Sequence, residues 1–211
     1  MRRSLNAAKE SHKMSNQKIG VFSGTFDPVH VGHIESCIVA LGALELESVV
    51  IFLEKKPHRK ENVASFYDRA NMLELAIQDY PKMRIVDIGS ENITTKNTLE
   101  YLDNQFVGGE YWYILGSDTL RILEDWDDSD LLFERMNMCV VLRKNSDEKK
   151  VTKLIRHLKS KYRGTKFIIL PAVWSGVSSS REKVLLHSGK NPDGLDQKVL
   201  DYIKSHKLYE S

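Results

Sequence analysis

Short apolar runs and segments of helical period alternate from Lys18 to the end of the chain. Lys18–Ser23 (KIGVFS) is a run of strand length that ends in a glycine-containing turn. His33–Leu44 follows with Ile34, Ile38, Leu41 and Leu44 spaced by three or four, which is one face of a helix. Further strands are predicted at Ser48–Leu53, Met83–Ile88, Tyr111–Leu115, Met138–Leu142 and Lys166–Leu170, all apolar or β-branched. Helices are predicted between and after them at Ser65–Tyr80, Asn97–Phe106, Leu131–Met136, Val151–Tyr162, Ser179–Leu186 and Asp196–Ser205. Most strands are continuously apolar, not alternating, as expected where helices cover both sheet faces. The pattern predicts an α/β fold: one doubly wound, Rossmann-like domain with a parallel sheet of about six strands. Ligands in such sheets sit beyond the carboxyl ends of the strands, where the strand order reverses.

The segment after the first strand carries the clearest chemistry. It reads Gly24-Thr25-Phe26-Asp27-Pro28-Val29-His30-Val31-Gly32-His33. Glycine lets a backbone approach a ligand without a Cβ in the way. A helix starting near His33 would turn its N-terminal N–H groups towards the same place, a setting that favours phosphate. His30 and His33 are three residues apart, so both rings can face one ligand, as hydrogen-bond donors or as partial counter-charges. Phosphoryl and nucleotidyl transfer needs mainly positioning and charge stabilisation. Two surface histidines after an ordinary turn are the plainer alternative, which the ten-residue string between a strand and a helix disfavours. No third ligand has the spacing of a metal site, and none is expected. Asp118, after Gly116, could accept from ribose hydroxyls or cap a helix starting at Thr119. Trp126 sits among Glu124, Asp125, Asp127 and Asp128, a setting for a cleft more than for a deep core. Ser178, Ser179 and Ser180 precede a predicted helix and suit phosphate or simple capping.

The string GTFDPVHVGH resembles the HxGH signature of the nucleotidylyltransferase superfamily, and the chain is most similar there to the nicotinate (nicotinamide) mononucleotide adenylyltransferase family. Supporting segments follow in family order. Lys56-Pro57-His58-Arg59 resembles a PHK-type loop, and Arg69 in YDRANML matches the arginine of the next helix. Thr95-Lys96-Asn97-Thr98-Leu99 resembles a T-x-x-T-L segment that contacts the mononucleotide, and Gly116-Ser117-Asp118 a G-x-D turn. Trp126 matches a tryptophan that stacks on the pyridine ring, and Arg143 a family arginine. Val177-Ser178-Ser179-Ser180 resembles an ISST motif that cradles ATP phosphates, and YIKSHKLY the last helix.

The resemblance implies transfer of AMP from ATP to a pyridine mononucleotide, with Mg2+ held mainly by the phosphates. It gives His30 and His33 catalytic roles. It assigns ATP to Gly24, Thr25, Phe26, His30, His33, Gly116, Asp118 and Ser178–Ser180, and either Arg181 or Lys183 to the triphosphate. It assigns the mononucleotide to His58, Arg59, Thr95, Thr98, Trp126 and Arg143. The chain departs from the family where an arginine is expected three residues after the motif's last hydroxyl; Lys183 stands there, with Arg181 earlier. Ile93-Thr94 replaces a serine-tyrosine pair. The histidine string alone also suits pantetheine-phosphate adenylyltransferases, cytidylyltransferases or a non-catalytic nucleotide sensor.

Bulk properties set outer limits. With 31 Lys and Arg against 29 Asp and Glu, the formal charge is +2, without the basic excess of a dedicated nucleic-acid surface. No apolar run reaches the length that crosses a bilayer, so no membrane partner is expected. The two cysteines lie in apolar runs without metal-site spacing, and a reducing cytoplasm is expected. Residues 1–17 are polar and basic and are expected to be a disordered extension, with residues 18–211 as the nucleotidylyltransferase domain.

Overall fold

Six strands pair in parallel in the computed structural model, in the order β3-β2-β1-β4-β5-β6. The described residues are 17–57, 62–172 and 176–210. The strands are β1 (Lys18–Gly24), β2 (Ser48–Leu53), β3 (Met83–Val86), β4 (Glu110–Gly116), β5 (Asn137–Val141) and β6 (Phe167–Leu170). The helices are α1 (Val31–Leu44), α2 (Phe66–Ile77), α3 (Thr95–Gln105), α4 (Ser117–Leu120), α5 (Ser129–Arg135), α6 (Glu148–Lys161), α7 (Ser179–His187) and α8 (Gln197–Ser205). This is the doubly wound, Rossmann-like arrangement that the alternation predicts, with the reversal of order between β1 and β4.

Continuous apolar strands are explained by two cores. In β2, Val49, Ile51 and Leu53 belong to one core cluster and Val50 and Phe52 to the other. Successive side chains point to opposite faces, so a strand covered on both sides needs apolar residues at every position. The first cluster takes Ile34, Cys37 and Ala40 of α1, Met72 and Leu73 of α2, and Val199 and Ile203 of α8. The second takes Leu99 and Leu102 of α3, Leu132 and Phe133 of α5, and Val151, Ile155 and Leu158 of α6. Both thiols are buried and free. Burial pushes the Cys139 thiol up to about 12 and raises Cys37 as well. Neither should be a thiolate near neutrality. Native protein at pH 8 is therefore expected to leave a thiol-reactive chromogen unreacted, whereas denatured protein should consume two equivalents.

Three differences from the sequence reading bear on the site. Helix α1 starts at Val31, with His30 as its N-cap, so both histidines lie at the helix entry and not before it. The short helix α4 starts at Ser117 with Gly116 as N-cap, so Asp118 lies inside the first turn and does not cap Thr119. Strand β3 stops at Val86, two residues before Ile88. The expected extension falls on residues 1–16, outside the described residues. Gln17 already belongs to the fold: its carbonyl accepts from the Glu110 amide at 2.8 Å.

Candidate active site

The cleft opens where β1 and β4 part. They pair only as far as Val21 opposite Tyr113. Beyond that point β1 continues beside β2 to Gly24, and β4 beside β5 to Gly116. A crevice of this kind at a switch point is the standard ligand position of the fold. Across the split, the Ser23 and Tyr113 hydroxyls are hydrogen-bonded. Burial pushes the Tyr113 phenol up to about 12, so it stays neutral near neutrality.

The Gly24–Pro28 loop turns sharply into α1. Phe26 takes a left-handed φ of 49°, and the Asp27–Pro28 peptide is cis. A bulky residue at positive φ persists only where its surroundings hold it. Here the Phe26 side chain is buried, and its ring meets Phe22 and His33 edge-on at 5.5 and 5.0 Å. Arg69 holds the backbone from beneath. Its guanidinium is 1% exposed and donates to the carbonyls of Thr25, Glu54, Lys55 and Ala64 at 2.8–3.2 Å. Burial lowers its pKa from the usual guanidinium value, opposed by Asp27. Arg69 therefore fastens this loop to the end of β2 and the approach to α2.

The two imidazoles stack, with centroids 3.6 Å apart and planes 20° from parallel. The His33 Nδ1 accepts from the His30 backbone N–H at 3.2 Å. The neutral His33 ring therefore carries its proton on Nε2. The helix terminus supplies fewer free amides than the sequence suggests. The Val31 N–H donates to the Gly194 carbonyl and the His33 N–H to the His30 carbonyl, both at 2.9 Å. Both of these N–H groups are therefore already engaged within the chain.

Other predicted residues fall into two groups. Gly24, Thr25, Phe26, His30 and His33 line the cleft from β1 and α1. Gly116 lines it from the end of β4, Trp126 from the segment before α5, Arg143 from just after β5, and Ser179 from α7. Trp126 meets Tyr113 edge-on at 6.4 Å, which ties its orientation to the split between the strands. Asp118 lies beside the cleft, with its side chain 60% exposed and 3.5 Å from both Arg143 and Arg121. Thr95 and Thr98 begin α3, beyond β3, and do not line the cleft; Thr98 is buried. His58 and Arg59 lie outside the described residues.

The serine turn is N-capped by Ser178, whose hydroxyl accepts from the Arg181 N–H. Ser180 is exposed. Neither Arg181 nor Lys183 lines the cleft. Arg181 pairs with Glu182 and Asp193 at 2.7 and 2.6 Å, and Lys183 with Asp27 at 2.7 Å. Each therefore already faces a carboxylate, and the structure does not bring either to the cleft lining.

Sequence reasoning passed over two residues of this region. Glu54, just after β2, lies in the cleft and accepts from the Thr25 hydroxyl at 2.8 Å. Tyr113, inside the apolar strand YWYIL, places its hydroxyl against Ser23 in the same cleft. The available signals were a carboxylate after a fully apolar strand and a hydroxyl inside YWYIL. Among the described residues, no group of three or more His, Cys, Asp or Glu side chains could hold a metal ion.

A cytidylyltransferase-like family model matches residues 21–183. A protein of Neisseria meningitidis serogroup C, named a probable nicotinate-nucleotide adenylyltransferase, is 32% identical over 199 residues, covering 92% of this chain and 99% of that protein. A protein of the same name from Carboxydothermus hydrogenoformans is 31% identical over 207 residues, covering 93% and 100%. Among solved structures, Plasmodium falciparum nicotinic acid mononucleotide adenylyltransferase complexed with NaAD superposes with a TM-score of 0.75. It is 18% identical, over 92% of this chain and 97% of that one, and shows a shared fold.

Proposed function

Because this chain belongs to the cytidylyltransferase-like family, and within it to the nicotinate-nucleotide adenylyltransferases, we propose that its cleft joins the AMP moiety of ATP to nicotinate mononucleotide. The products are the dinucleotide and pyrophosphate, a step of NAD biosynthesis. One observation carries this reading: the stacked His30–His33 pair and Trp126 line a single cleft at the sheet's switch point. The names of the relatives support nicotinate over nicotinamide as the acceptor.

A phosphate oxygen of the mononucleotide attacks the α-phosphorus of ATP in line. The new O–P bond forms as the bond to the β-phosphate oxygen breaks, and pyrophosphate leaves. The protein's part is positioning and charge stabilisation. His33, with its proton on Nε2, donates to a phosphate oxygen as negative charge shifts to the leaving group, and His30 lies stacked against it. The amides of Thr25 and Phe26 and the turn Ser178–Ser180 hold the ATP phosphates, and Gly116 and Asp118 its ribose. Trp126 stacks on the pyridine ring, with Arg143 on the remainder of the mononucleotide; Thr95 and Thr98, which do not line the cleft, take no part in this reading. Magnesium enters with ATP as part of the substrate, held chiefly by phosphate oxygens. Two free, buried thiols suit a reducing cytoplasm.

Steady-state kinetics on Trp126→Ala test the division of the cleft. Losing one stacked ring is expected to raise KM for the mononucleotide about tenfold, with KM for ATP little changed. Equal changes in both would place the tryptophan elsewhere in the reaction.

A further inference from the structure

Asp27 is a buried carboxylate in the phosphate loop, 1% exposed, and three separate parts of the chain converge on it. The Ala64 N–H, just before α2, donates to Oδ1 at 3.0 Å. The Lys183 ammonium of α7 meets Oδ2 at 2.7 Å. The Tyr209 hydroxyl, from the turn after α8, donates to Oδ1 at 2.7 Å. Lys183 also lies 6.0 Å above the Tyr209 ring. Burial, with the adjacent carboxylate, raises the Tyr209 phenol well above its usual pKa, so it stays a donor. Helix α8 brings Tyr209 here by docking on α2: its Tyr202 hydroxyl donates to Asp68 and accepts from Asn71, both at 3.0 Å.

Two further bonds join the same elements. The Ser179 hydroxyl donates to the Pro28 carbonyl at 2.9 Å, and the Val31 N–H to Gly194 at 2.9 Å. The loop after β1 and the serine turn of α7 are therefore braced together, and the brace centres on Asp27. An unpaired carboxylate there would be costly, because burial removes the water that would otherwise solvate it.

We propose that Tyr209 is a positioning residue for ATP: through Asp27 it fixes the Gly24–Pro28 loop against the Ser178–Ser180 turn. The proposal rests on the assignment of those two elements to ATP. The mononucleotide residues, Trp126 and Arg143, make no contact with Asp27, Lys183 or Tyr209 through the hydrogen bonds and ion pairs described. A fault in the brace should therefore appear in ATP terms alone.

The test compares full-length wild type with Tyr209→Phe, which keeps the ring and removes the hydroxyl. A hydrogen bond to a charged group is lost, and kcat/KM for ATP at saturating mononucleotide should fall about tenfold. KM for the mononucleotide should stay unchanged. Asp27→Asn keeps an acceptor for Tyr209 and removes the charge facing Lys183; it should show the same ATP-selective loss, and the double variant should lose less than the product of the two. Binding of a non-hydrolysable ATP analogue, followed by calorimetry, gives a parallel readout independent of turnover. If wild type transfers no AMP to a pyridine mononucleotide, the functional reading fails, yet weaker analogue binding by Tyr209→Phe still supports the brace. Unchanged kcat/KM for ATP and unchanged analogue binding, or an equal loss for both substrates, would overturn it. So would a lowered melting temperature with ATP kinetics unaffected.

Discussion

Replacing His33 with alanine is expected to lower turnover about 100- to 1000-fold, the range seen when one donor to a developing negative charge is removed. The proposed mechanism adds a second job to the one that the imidazole has in the fold. Its Nδ1 accepts the His30 N–H at the entry of α1, and that bond leaves the proton on Nε2. His33→Asn separates them, because Oδ1 of asparagine can stand in for Nδ1 while nothing replaces Nε2–H. The asparagine variant is therefore expected to melt close to wild type and to be nearly as inactive as the alanine variant. Initial rates of pyrophosphate release with melting curves on the three proteins check this. An active asparagine variant would mean that His33 serves the helix entry and not the reaction.

The second large effect concerns stability. Arg69→Met keeps much of the side-chain bulk but removes the donors to four carbonyls around the Gly24–Pro28 loop. Buried acceptors left without donors are among the few causes of large single-site losses. The variant should lose about 3–4 kcal/mol of unfolding free energy. This is a large share of the total for an ordinary domain. Urea unfolding should show a lower midpoint with the slope unchanged. Arg69→Lys should recover only part of the loss, since one ammonium cannot span carbonyls of Thr25, Glu54, Lys55 and Ala64. A loss below about 1 kcal/mol for the methionine variant would mean that water takes over these carbonyls.

The sheet was legible because its signal is local. Apolar runs such as SVVIFL and MCVVL mark strands buried on both faces, and those strands form at or within a residue of their predicted limits. The helix entry at Val31 was less so, because His30 is not among the residue types that usually N-cap a helix. The four-residue α4 is too short to show a helical period. The site divides in the same way. His30, His33 and Trp126, which the fold brings to one cleft, stood out as candidates because their residue types are informative within a short string. The roles of Asp27, Arg69, Lys183 and Tyr209 depend on contacts between positions far apart in the chain. Lys183 and Arg181 show this most clearly. By sequence each was a candidate for phosphate, and in the fold each faces a carboxylate.

The most direct measurement is a product assay on the full chain, supplied with MgATP and either nicotinate or nicotinamide mononucleotide. Pyrophosphate release and dinucleotide formation are followed together, the latter by mass. One dinucleotide per pyrophosphate is expected, faster with nicotinate mononucleotide, and no product with CTP in place of ATP. Pyrophosphate released only with CTP, or only with a phosphate acceptor that lacks a pyridine ring, would contradict the account.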